Sequence, residues 1–167
     1  MTPETLFRSH HLPIFRYLKR MTGSQEAAEE LTQDVFVRVV RALPGYRSQG
    51  KDAAWIFSIA RNVLLNRHRD SGRRPEPAAS PADESLPGHG VSPIRRIELD
   101  EAMAALPAPE REAFLLRELG GLSYDDIAGL CEATADAVRS RIHRARLALR
   151  RSLAAGPRRV GDLRKRS

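Results

Sequence analysis

Residues 122–149 read LSYDDIAGLCEATADAVRSRIHRARLAL, and the reading of this stretch decides the fold. Ser123 opens a short run with an acid, Asp126, in the third position, the pattern by which a hydroxyl and a carboxylate close the first turn of a helix. That helix covers 124–131. Thr134 is a good cap for the next, about 136–153, and Asp136 sits favourably at its positive end. Two helices of these lengths with so tight a joint make a helix-turn-helix. In the second, Val138, Ile142, Ala145 and Leu149 form one apolar stripe facing partner helices. Around the other side lie Arg139, Ser140, Arg141, His143, Arg144, Arg146, Arg150 and Arg151. A major groove admits one helix, and arginine both neutralises phosphate and forks onto guanine. A merely solvated basic helix is the competing reading, but no acids interleave with these arginines at i,i+4. The first turns of a recognition helix enter the groove deepest, so Arg139, Ser140 and His143 lead for base edges. Arg144, Arg150 and Arg151 suit phosphate.

Working outward, helices at 94–106 and 108–119 precede this pair; Pro107 divides them and Gly120-Gly121 stops the second. Before them, residues 71–93 read SGRRPEPAASPADESLPGHGVSP, with no periodic apolar face, and are expected to be a semi-extended linker that lets its neighbours sit apart. After the pair, 154–167 is a basic tail. Charge is polarised: residues 139–167 carry eleven Lys and Arg against one acid, Asp162, while the other 138 residues are net acidic within a chain of +7. A polyanion partner is expected at the C-terminal end and a different partner near the N-terminus.

The first block, 1–70, reads as three helices, 3–22, 24–43 and 53–70, separated by Gly23-Ser24 and by a loop over 44–52. Ala28, Leu31, Val35, Val39 and Ala42 make the core stripe of the second; Ile56, Ile59, Ala60 and Val63 that of the third. Opposite the latter stripe lie Trp55, Asn62, Asn66 and Arg69, with Arg61 beside them. An exposed tryptophan with amides and arginines can stack on an unpaired base and hydrogen-bond its edges; packing of Trp55 against the first helix is the alternative. On the second helix Glu26, Glu30, Gln33 and Asp34 form an acidic face that would repel DNA and suits a protein surface. The fold class is therefore all-α: a three-helix domain (1–70) and a four-helix domain (94–153) with the helix-turn-helix, joined by the linker.

Several functions are disfavoured. The single Cys131 excludes an internal disulfide and a cysteine-based zinc cluster and reads as a buried structural thiol. His10-His11 has no matching acid or cysteine motif, so no catalytic site, metal or cofactor is expected. No apolar run reaches a membrane span, and 1–4 lacks a signal sequence, so a cytoplasmic location without membrane insertion is expected.

Three stretches, in this order, resemble the extracytoplasmic-function sigma factors. They are AEELTQDVF (28–36); WIFSIARN (55–62) with Arg69; and APEREAFLL (108–116) followed by LSYDDIA (122–128) and VRSRIHRAR (138–146). The resemblance implies that Glu30, Gln33 and Asp34 grip core RNA polymerase. It implies that the 44–52 loop and Trp55, Arg61, Asn62, Asn66 and Arg69 capture the non-template strand of the minus-ten element. Arg139, Ser140, Arg141, His143, Arg144 and Arg146 would read the minus-thirty-five element as duplex, and an anti-sigma protein often masks such a factor. The chain departs from the pattern at Glu132, where the turn usually has Gly, at Asp136-Ala137, and at Asn66. A conventional helix-turn-helix regulator is the alternative function; it accounts for 108–153 but leaves the Trp55 stripe and the acidic helix unused.

Overall fold

A computed structural model describes residues 2–71 and 93–155. The expected linker and basic tail fall almost entirely on 72–92 and 156–167, outside the described residues. The described residues form seven α-helices and one short 3-10 turn, three helices before residue 72 and four after residue 92.

The first two helices of the first block start at capping side chains. In α1 (Pro3–Thr22), Thr2 Oγ1 accepts from Thr5 N, and the helix stops where Gly23 turns left-handed at φ 69°. Ser24 then caps α2 (Gln25–Ala42) by accepting from Ala27 N at 3.2 Å. Two residues between helices force α2 back along α1, and α3 (Asp52–Ser71) closes the bundle. Residues 43–45 add a 3-10 turn where the sequence had suggested continued helix and loop. The predicted α2 stripe is buried except for Ala42, which is exposed because the chain already leaves the bundle there. In α3, Ile59 is only half-buried, while Phe57 and Leu64 (0% and 2% exposed) are enclosed. Phe57 has a second set of neighbours, described next, that a single helical stripe does not foresee.

The second block comprises α4 (Pro93–Ala105), α5 (Ala108–Glu118), α6 (Tyr124–Cys131) and α7 (Ala135–Ala154). Ser123 and Thr134 accept from Asp126 N and Ala137 N at 3.1 Å each, as the cap pattern requires. Val138, Ile142, Ala145 and Leu149 are all buried against α4, α5 and α6. Each large side chain so enclosed contributes roughly 1.5–3 kcal/mol over an exposed one.

The two blocks do not stand apart: their buried residues form one continuous apolar cluster. Tyr17 of α1 and Phe57 of α3 meet edge-on, ring centroids 5.6 Å apart, and both are fully buried. Gly120, at the end of α5, lies so near that a Cβ there would come within 3.1 Å of the Phe57 ring.

Candidate nucleic-acid interface

The basic face of α7 is positioned by its buried stripe. Arg139, Ser140, His143 and Arg144 are exposed, and Arg141 and Arg146 are half-buried. The arginines are less free than the lack of i,i+4 acids suggested. Arg139 bonds Asp136 at 2.9 Å, Arg144 bonds Glu110 at 3.0 Å and Arg146 bonds Glu118 at 3.1 Å. Two of these acids come from α5, a neighbour that helical spacing within α7 does not reveal. Such exposed pairs are worth little, on the order of 0–1 kcal/mol each, so they orient the arginines without withholding them. The guanidinium carbons of Arg117 and Arg139 lie over the Tyr124 ring, 4.9 and 5.4 Å from its centroid.

The joint between α6 and α7 explains how this chain tolerates a missing glycine. Glu132 itself takes the left-handed conformation, φ 51° and ψ 46°, the one non-glycine residue at positive φ among the described residues. Asp136 is exposed but compensated, since it accepts from Arg139.

On α3, Asn62, Asn66 and Arg69 are exposed along one side, in the register the sequence predicted. Trp55 is half-buried rather than exposed, because Tyr46 of the preceding loop stacks on it, centroids 3.8 Å apart and planes 10° from parallel. Asp52 holds that loop by accepting from Tyr46 Oη at 2.6 Å and Ser48 Oγ at 3.0 Å. Burial and then the Asp52 carboxylate push the Tyr46 phenol up to about 12. Arg61 does not share the Trp55 side: its Nε donates to Glu112 Oε1 of α5 at 2.9 Å. Burial pulls the Arg61 guanidinium down, but its bond to Glu112 and the charge beside it leave it raised.

Glu112, which no sequence motif singled out, gathers three donors at the block boundary. Tyr17 Oη donates to its Oε2 at 3.1 Å, and Arg61 Nε and Cys131 Sγ (3.2 Å) to its Oε1. Burial first, then this carboxylate, raise the Tyr17 phenol well above its ordinary value and push the Cys131 thiol up to about 12. One signal was available: Glu112 shares the i, i+3, i+4, i+7 stripe of Leu115, Leu116 and Leu119. An acid on an apolar stripe must find donors.

On α2, Glu26, Glu30, Gln33 and Asp34 all face solvent, with Arg67 of α3 bonded to Glu30 at 3.1 Å. Among the described residues no His, Cys, Asp and Glu cluster could hold a metal ion, and no helix is long and apolar enough to cross a membrane.

Comparison with known proteins matches residues 6–74 to Sigma-70 region 2 and residues 96–149 to Sigma-70, region 4. The ECF RNA polymerase sigma factor SigC of Mycobacterium tuberculosis is 34% identical over 149 residues, covering 87% of this chain and 80% of that one. The chain belongs to the sigma-70 family. The ECF RNA polymerase sigma factor SigE of Mycolicibacterium smegmatis is 33% identical over 158 residues, 90% of this chain, which spans 61% of that protein's length. The sigma factor RpoE of Bartonella quintana, solved with the anti-sigma factor NepR, shares the fold with a TM-score of 0.75 at 23% identity, over 92% of this chain and 98% of that one. The protein is thus a sigma factor of the extracytoplasmic-function type, acting with RNA polymerase in transcription initiation at promoter DNA. The free-standing regulator is set aside, because region 2 of the family accounts for the block which that reading left idle.

Proposed function

We propose a division of labour among three faces of this sigma factor. The acidic side of α2, Glu30, Gln33 and Asp34, docks on core polymerase. The 44–52 loop with Trp55, Asn62, Asn66 and Arg69, joined by Arg61 once it leaves Glu112, holds the unpaired non-template strand of the minus-ten element. Arg139, Ser140, Arg141, His143, Arg144 and Arg146 meet the minus-thirty-five duplex. Residues 1–70 serve as domain 2, 71–93 as the tether, 94–153 as domain 4 and 154–167 as a basic extension. The factor works in the cytoplasm at the nucleoid, and an anti-sigma protein, such as the one bound to the Bartonella relative, is a candidate partner.

One observation supports the reading: two cation-bearing faces and one acidic face lie on three different helices, with Asn62, Asn66, Arg69, Arg139, His143, Glu30 and Asp34 exposed on them. Energetics explain why polymerase is required. Stacking averages about 1.4 kcal/mol per step, so a bubble of about ten pairs costs on the order of 14 kcal/mol. A few base contacts at about 1–3 kcal/mol each cannot supply that alone. Run-off transcription with sigma-free core polymerase and a promoter library tests the proposal. Discrete start sites are expected. Glu30→Arg with Asp34→Arg should weaken core binding, and unchanged affinity would remove the acidic grip.

A further inference from the structure

Three arginines from two helices gather at one aromatic side chain. Tyr124 is the first residue of α6, and the Ser123 cap fixes the backbone beside it. Arg117 of α5 and Arg139 of α7 both place their guanidinium carbons over its ring, at 4.9 and 5.4 Å. Arg146, two turns further along α7, lies beside the same residue while it bonds Glu118 at 3.1 Å. Arg117 is itself anchored, since its Nη1 donates to the Leu122 carbonyl at 2.8 Å. The ring is half-buried, whereas Arg139 is exposed. A ring held by its own block thus reaches the open side of α7 from a neighbouring helix.

Arg139 carries two restraints of different kinds. Asp136 accepts an N–H from it at 2.9 Å, so that carboxylate occupies a donor which a base or phosphate would need. An aromatic face attracts the cation as a whole and claims no donor, so the contact with Tyr124 leaves Arg139 free to hydrogen-bond elsewhere. DNA has to displace Asp136 but can bind with the ring contact intact. An arginine gives up much rotamer freedom when it is ordered, and one already held in place gives up less.

We propose that Tyr124 is a positioning residue for duplex recognition: its ring presets Arg139 in the orientation in which it meets DNA, so base preference depends on a residue outside α7. The inference rests on assigning Arg139 to the minus-thirty-five duplex.

The test is competition binding by holoenzyme assembled from core polymerase and the full chain. The probes are a promoter recovered from the run-off library and duplexes carrying each single substitution in its minus-thirty-five element. Tyr124→Leu should weaken the parent promoter about two- to fivefold, the scale of one exposed cation–π contact, and narrow the spread among the substituted duplexes. Tyr124→Phe keeps the ring and should retain both affinity and spread. In an Arg139→Ala background Tyr124→Leu should lose most of its effect, because the contact it removes is already gone. A fluorinated phenylalanine at the same position keeps the shape of the ring but drains its negative face, and should behave like Tyr124→Leu. That variant reads the contact even if Tyr124→Leu fails to fold. Four results overturn the positioning role: unchanged binding by Tyr124→Leu, a loss equal across all duplexes, an equal loss without Arg139, or a fluorinated ring that matches Tyr124→Phe. If Arg139→Ala alone leaves the preference intact, the base-reading assignment falls and the inference with it.

Discussion

The two helices that carry the nucleic-acid candidates differ in where their counter-charges come from. Arg139, Arg144 and Arg146 of α7 pair with Asp136, Glu110 and Glu118, all within their own block. Arg61 of α3 and the adjacent Lys51 pair with Glu112 and Asp126, across the boundary. Charge on α7 is thus tuned locally and stays on display however the blocks are arranged. Charge on α3 depends on that arrangement. Two basic faces built from similar residues thus differ in whether the packing of the blocks reaches their counter-charges.

The comparison can be broken most decisively at Trp55. Trp55→Ala removes a stacking surface worth about 1–3 kcal/mol, so promoter opening in a permanganate footprint should fall about ten- to a hundredfold while core-polymerase affinity stays unchanged. Normal opening would leave α3 with no strand-holding role. On the other helix, Arg139→Ala should cost about 1–3 kcal/mol and flatten preference among minus-thirty-five sequences, whereas Arg150→Ala should weaken all sequences alike; competition binding with a duplex panel separates them.

A smaller effect sharpens the boundary. With its thiol pushed up to about 12 by burial and then Glu112, Cys131 is almost wholly protonated at neutral pH, and the thiolate is the reactive form. Glu112→Gln should speed its reaction with a disulfide reagent roughly tenfold by removing a like charge. Glu110→Gln, whose carboxylate pairs with Arg144 rather than Cys131, should not. The sign for stability follows: a pKa raised on folding contributes fully below the ordinary value of 9.0 and is lost as pH climbs toward 12, so Cys131→Ala should flatten alkaline unfolding in that window. The smallest effect is at the joint. Left-handed backbone costs a non-glycine residue about 1–2 kcal/mol, and glycine's unfolded-state freedom returns about half of that. Glu132→Gly should therefore stabilise the chain by about 0.5 kcal/mol in chemical denaturation, with the α7 face unchanged.

How far the molecule was legible varies along the chain. Ser123 and Thr134 marked their helix starts because a cap is a contact between a side chain and its own backbone three residues on. The α7 stripe was legible because helical period alone decides which residues share a side. Asn62, Asn66 and Arg69 were placed correctly for the same reason, but Arg61 and Trp55 were not, since their surroundings come from α5 and from the 44–52 loop.

By itself, then, the sequence determined the helices, their buried and open sides, the helix-turn-helix and the segregation of charge, all consequences of interactions within a few residues. Only the tertiary structure decided that the blocks share one core, that Glu112 gathers Tyr17, Arg61 and Cys131, and that two cations near Trp55 are already occupied. Those contacts join residues far apart along the chain, up to 95 positions for Tyr17 and Glu112, and periodicity shows that a face must be covered without showing what covers it.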